Sequence, residues 1–222
     1  MTYTTMMHAQ NRAILLFDMI EKSGLIRPGK TERQLVAEID ELATVGFDIS
    51  THWHKKIVRA GKNTLATFSQ DPPDQLIRDN DILFIDLGPI ADGYEADLGR
   101  TYVIGNDPMK VRIKQDVERA WYEIQAWVRT QRNLTGATLF HHAVAKAREY
   151  GWTFTGDIAG HIVGRYPHEQ PLDPRSLELD IHPDNHQEIF VPDAQGEERN
   201  WILELQFIDV EKGIGAYFEQ LI

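Results

Sequence analysis

Asp86 closes the apolar run Ile82-Leu83-Phe84-Ile85, and Asp97 follows eleven residues later, beyond the turn signal Ala91-Asp92-Gly93. Folding that segment into a hairpin brings the two carboxylates near one another. Ionised carboxylates at the ends of buried strands repel, and each loses hydration. A bound dication removes the conflict; aspartates at solvent-facing strand ends would not meet it, and the hairpin alone allows either. His161 lies in Ala159-Gly160-His161-Ile162-Val163-Gly164, where glycines let the backbone approach a ligand, and His168-Glu169 follows seven residues on. Taken alone, His161 reads as a hydrogen-bonded core histidine more readily than as a ligand. Two further acids sit in apolar strand contexts, Glu204 in Trp201-Ile202-Leu203-Glu204-Leu205 and Glu219 in Tyr217-Phe218-Glu219-Gln220-Leu221. Strand periodicity puts Glu204 and Gln206 on one face, opposite Leu203 and Leu205. Each glutamate separately also fits a solvent-facing position. Jointly, the four carboxylates and one imidazole suit two hard or borderline divalent ions spaced by bridging carboxylates.

Composition narrows the chemistry. The chain of 222 residues has no cysteine, so disulfides, thiolate metal sites and a cysteine nucleophile are excluded, and any metal must be held by oxygen and nitrogen. With 34 acidic against 23 basic side chains the formal charge is -11, the wrong sign for tracking a phosphate backbone, so no nucleic-acid partner is expected. The apolar run at residues 13–17 is far too short to span a bilayer, and Asp18 and Glu21 follow it. The expectation is a soluble cytoplasmic protein with no membrane partner.

The elements that must position these residues can be read from periodicity. Ile14, Phe17 and Ile20 mark an amphipathic helix over about 6–22. Thr31 with Gln34 forms a capping box ahead of Leu35, Ile39 and Leu42, starting a helix that runs to about 46. A similar passage recurs about a hundred residues on, where Gly136 and Thr138 precede a helix over 139–150 that ends at Gly151-Trp152. This hints at an internal duplication. Between the copies lie strand-like stretches at 57–59, 82–87 and 95–104 and a helix over about 109–132; strands at 202–208 and 215–221 follow. The interleaving argues for an α+β domain with pseudo-symmetry. Residues 171–200, polar and rich in proline and aspartate, read as a long surface loop.

Asp, eleven residues, Asp, then Gly-His-x-x-Gly, then two strand glutamates: this order resembles the pita-bread metallopeptidases (family M24), which include methionine aminopeptidase, aminopeptidase P, prolidase and creatinase. The resemblance extends to Ile57-Val58-Arg59-Ala60-Gly61-Lys62-Asn63 and to Asp97-Leu98-Gly99-Arg100-Thr101, and covers nearly the whole chain. It implies an α+β pita-bread fold, with pseudo-two-fold related halves around a curved antiparallel sheet. Residues 1–222 would be a single catalytic-type domain without a separate N-terminal domain. It further implies two divalent ions (Mn, Co, Fe or Zn), with Asp86 on one, Asp97 and Glu219 bridging, and His161 with Glu204 completing the other. A metal-bridging hydroxide would cleave an N-terminal peptide bond, with Glu204 and His168 as catalytic residues and His168 hydrogen-bonding the substrate. The substrate would be a peptide or small amide; Xaa-Pro and Met-Xaa specificities stay open, as does a homodimer. Three departures qualify the match. Phe68 occupies the place of a substrate-binding histidine, and His52 and His54 lie nearby without an assigned position. Gln206 competes with Glu204 for the fourth ligand slot, and Ile162 replaces a glycine in a way expected to narrow the cleft. A catalytically impaired binding module and a creatinase-like amide hydrolase are the alternatives.

Overall fold

The structure, a computed structural model, describes residues 2–222 apart from Leu172 and Pro174. Helix α1 (Thr2–Lys22) packs on α2 (Glu32–Phe47). The Thr31 hydroxyl accepts from the Gln34 amide at 3.3 Å while the Gln34 side chain accepts from the Thr31 amide at 2.8 Å, the capping box its spacing predicts. The pair buries Leu16, Phe17 and Ile20 against Leu35 and Ile39.

Strands β1 (Ile57–Ala60), β2 (Ile82–Leu87), β5 (Leu98–Val103), β9 (Ile214–Leu221), β8 (Asn200–Asp209) and β6 (Thr153–Phe154) lie in that order in one antiparallel sheet, and β7 (Ile162–Val163) joins at β8. A separate ribbon pairs β3 (Ile90–Ala91) with β4 (Tyr94–Glu95). Its two-residue turn has Asp92 at φ 53 and Gly93 at φ 77, the positive pair that a tight hairpin requires. Helices α3 (Pro108–Val128) and α4 (Gly136–Glu149) cover the second half of the sheet. Each helix pair therefore covers its own core: α1 and α2 lie over Val58, Leu83, Ile85 and Leu98, α3 and α4 over Leu203, Leu205, Phe207 and Phe218.

Strand alternation then fixes what faces the other way. In β2, Leu83, Ile85 and Leu87 enter the helix-covered core, so Phe84 and Asp86 face a cavity. In β8, Leu203, Leu205 and Phe207 point to the helices while Glu204 and Gln206 line the cavity; in β9 the cavity-facing residues are Tyr217 and Glu219. Both sheet faces are thus occupied, one by helices and one by a site.

Three expectations change. The strand over 95–104 breaks at Ala96–Asp97, because Glu95 pairs with Ile90 in the ribbon while Leu98 joins β2, and Asp97 sits at the crossing between them. Helix α3 ends at Val128 and not near Arg132, since the Thr130 and Gln131 amides turn back to the Trp127 and Val128 carbonyls at 2.9 Å each. The segment 171–199 lacks a described helix or strand, yet it is not a surface loop throughout. Leu179, Ile181 and Ile189 are buried in the second core, and the Asn185 carbonyl accepts from the Ala137 amide at the start of α4. Among the described residues, no helix is long and apolar enough to cross a membrane.

Trp121 of α3 is fully buried, contacts Phe218, and donates its indole N–H to the Leu203 carbonyl at 2.8 Å. Trp121→Ala is expected to lower stability by about 3–5 kcal/mol through the cavity it opens, and Trp121→Phe by about 0.5–1.5 kcal/mol through loss of the indole hydrogen bond. Urea unfolding midpoints at unchanged slope measure both; equal midpoints for Trp121→Phe and wild type would contradict the role of the hydrogen bond.

Candidate functional site

A cavity of about 380 Å³ opens over the sheet, and Asp86, Asp97, His161, His168, Glu204 and Glu219 all line it. The structure therefore brings every sequence-predicted site residue to one place. Two groups of three residues each offer ligand atoms lying within 4.8 Å of one another: His54, Asp86 and Asp97 in one, Asp97, His161 and Glu219 in the other. Asp97 is common to both, and its two oxygens face opposite partners. Oδ1 is 3.1 Å from His54 Nε2 and Oδ2 is 3.4 Å from His161 Nε2.

Cross-strand register supplies the remaining carboxylates. Glu204 of β8 lies directly opposite Glu219 of β9, and Glu219 also pairs with Gly99 of β5, two residues beyond Asp97. A Cβ at Gly99 would meet the Tyr217 ring at 2.3 Å, so this crowded strand needs glycine there. The Tyr217 hydroxyl donates to Glu204. Gln206 shares the cavity face, but its amide N–H groups go to the Thr64 and Ala66 carbonyls at 2.8 and 3.0 Å. Of the two candidates for the fourth ligand slot, Glu204 presents a carboxyl on which the charges of His161 and Asp97 act, whereas Gln206 spends its amide on the two carbonyls.

Burial dominates the electrostatics. It pushes the Asp86, Glu204 and Glu219 carboxyls above the ordinary range, and for Glu219 the charges of Asp97 and Asp86 add to it. For Asp97 burial acts in the same sense but is outweighed by His54 and His161, which hold it low. The imidazoles answer in kind. Burial alone would depress both, yet Asp97 and Asp86 carry His54 up to about 10, and Asp97 carries His161 up to about 9. Among the described residues, Asp86 Oδ1 and Glu219 Oε2 are buried without a hydrogen-bond partner. Buried carboxylate oxygens are costly when left unpaired. An all-oxygen-and-imidazole donor set with such orphaned oxygens fits divalent cations.

His168 is held from outside the acidic cluster. Buried Glu95 accepts from the Gly164 amide at 3.1 Å, from the His168 amide at 3.1 Å, and from His168 Nδ1 at 2.7 Å. The imidazole is thereby held through Nδ1 at the wall of the cavity. Sequence reasoning missed Glu95; its one signal was an acid two residues before Asp97, which read as part of a continuous strand.

It also missed His54. Phe68, standing where a histidine was expected, lies with its ring 5.8 Å from that of His54, and Arg59 fastens the intervening loop by donating to the Thr67 and Gln70 carbonyls. An imidazole from the segment before β1 therefore stands beside Phe68 and faces Asp86 and Asp97. Ile162 does not narrow the cavity: it pairs with Trp201 and turns into the second core.

The profile of metallopeptidase family M24 matches residues 4–194, and the chain belongs to that family. It is 31% identical over 149 residues to an Xaa-Pro dipeptidase from Lactobacillus helveticus, a stretch that is 66% of this chain but 39% of that protein. A prolidase from Thermococcus sibiricus superposes with a TM-score of 0.77 at 20% identity over 99% of this chain and 55% of its own. Methionine aminopeptidase from Rickettsia prowazekii superposes with a TM-score of 0.72 at 17% identity over 99% of this chain and 92% of its own. The fold is accordingly the pita-bread fold, α+β, that the sequence order implied. The chain spans well under two thirds of the Xaa-Pro dipeptidase it matches.

Glu95→Ala removes the acceptor of two amides and one ring. A stability loss of about 1–3 kcal/mol is expected, together with loss of the single Nδ1–H form of His168 in ¹⁵N NMR. An unchanged ring spectrum would show that Glu95 does not hold His168.

Proposed function

We propose that the chain is a peptidase dependent on two divalent ions, held by Asp86, Asp97, His161, Glu204 and Glu219, that releases an N-terminal residue from a peptide. The observation that carries this reading is the convergence of four carboxyls and the His161 imidazole on one buried cavity, with Asp86 Oδ1 and Glu219 Oε2 lacking hydrogen-bond partners among the described residues. Bound ions would supply Lewis acidity and a water activated as nucleophile. Which of Mn, Co, Fe or Zn they are is open to a donor set of this kind.

The chain's own residues would do the rest. Trp53, Ile57, Phe68 and Phe84 form an apolar wall beside the acidic cluster, suited to a proline ring or an apolar side chain and unsuited to a charged one. The relative from Lactobacillus helveticus is named an Xaa-Pro dipeptidase, which favours proline after the scissile bond. His168, oriented by Glu95, would hydrogen-bond the substrate through its Nε2 edge. Glu204, a carboxylate on the cavity face, would take a proton from the attacking water and pass it to the leaving amine. The reading as one catalytic-type domain is supported by the coverage of the Rickettsia enzyme.

Two equivalents of metal should remain after loading and dialysis, by elemental analysis, with cleavage of Xaa-Pro or Met-Xaa peptides. Asp97→Ala should remove both ions and lower cleavage by about a thousandfold, equivalent to about 4 kcal/mol. Cleavage that survives this substitution would sink the reading; turnover of small amides alone would move it to a creatinase-like hydrolase.

Ion binding needs the bare His161 nitrogen, which Asp97 keeps protonated up to about pH 9. Loading at pH 7 should therefore expel protons, and apparent affinity should rise with pH from 6 to 8. Calorimetry in buffers of different ionisation enthalpy measures this, and buffer-independent heats would contradict it.

A further inference from the structure

We propose that His54 is itself a metal ligand through Nε2, so that His54, Asp86 and Asp97 hold one ion as Asp97, His161 and Glu219 hold the other. This rests on the two-ion reading above and adds a sixth protein ligand, one that the family motifs in this sequence do not point to. It also makes the first ion's coordination part carboxylate and part imidazole.

The geometry of the two histidines is the same. His54 Nδ1 lies 2.7 Å from the carbonyl of the next residue, Lys55, and His161 Nδ1 lies 3.0 Å from the carbonyl of the next residue, Ile162. A carbonyl can only accept, so each ring places its N–H at Nδ1. Each ring thereby turns Nε2 toward an oxygen of Asp97. This is the outer hydrogen bond that fixes the tautomer of a metal-binding histidine and directs its lone pair.

His54 is also a built feature and not a surface side chain that happens to lie near. Its side chain is 7% exposed. The segment carrying it is laced to the β2–β3 connection: the Trp53 amide donates to Gly88 at 2.9 Å and the Ile90 amide to Thr51 at 3.0 Å. The Trp53 indole donates to Ala96 at 3.0 Å, beside Asp97. Gly88 makes the approach possible, since a Cβ there would sit 2.2 Å from His54 Cδ2. Asp86 Oδ1, 3.6 Å from His54 Nε2, has no hydrogen-bond partner among the described residues. Nε2 and Oδ1 are too far apart for a hydrogen bond, and both are close enough to share one cation.

The alternative is an ion pair in which His54 only neutralises Asp86 and Asp97. Co(II) distinguishes the two, because a coordinated imidazole gives a strongly hyperfine-shifted, exchangeable N–H signal in proton NMR. Co(II)-loaded wild type should show two such signals, His54→Gln and His161→Gln one each. Calorimetric titration of His54→Gln and His54→Ala should show one of two Co(II) equivalents weakened tenfold or more, the size of effect that losing even an outer partner can produce. Far-UV circular dichroism checks that both variants fold; if neither does, the wild-type signal count decides. Two bound ions with a single imidazole signal, or unchanged affinities in a folded variant, would overturn the assignment of His54 and leave the two-ion reading standing. Failure of wild type to bind any ion would overturn both.

Discussion

Asp86, Asp97, Glu204 and Glu219 bring four carboxyl groups into one buried cavity, and much of the structure around them answers the repulsion that this creates. Like charges directly opposite on paired strands destabilise a sheet, yet β8 and β9 hold Glu204 against Glu219 in that register. The register is fixed from behind: shifting either strand by one residue would turn Leu203, Leu205 and Phe218 out of the core under α3 and α4. The apolar face thus imposes the acidic one. Local relief comes from the Tyr217 hydroxyl on Glu204 and from two imidazoles on Asp97.

How far the sequence revealed this depended on how local each signal was. The run Ile82-Leu83-Phe84-Ile85-Asp86-Leu87 is β2 to the residue, because an apolar run closed by turn residues has few other readings. Glu204 and Glu219 stood out because they interrupt otherwise apolar strands. Asp97 belongs to the site, yet the strand its sequence suggests is broken there; the break at Ala96–Asp97 depends on which partner each neighbour finds, and partners are not written locally.

His54, Glu95 and the buried residues of 171–199 escaped for the same reason. His54 sits in irregular chain before β1, and its position is set by contacts with Gly88 and Ala96 that no periodicity encodes. Glu95 looks like any strand residue until the Gly164–His168 segment folds over it. Leu179, Ile181 and Ile189 are too few and too irregularly spaced among polar neighbours to declare a core.

The closeness of Gly88 to His54 makes bare backbone part of the cage. A side chain at position 88 would enter the volume held by the His54 ring at 2.2 Å and by the Trp53 indole at 2.5 Å, so both rings are seated by what residue 88 lacks. Because the Trp53 amide also donates to the Gly88 carbonyl, the same residue anchors the histidine segment and makes room for it.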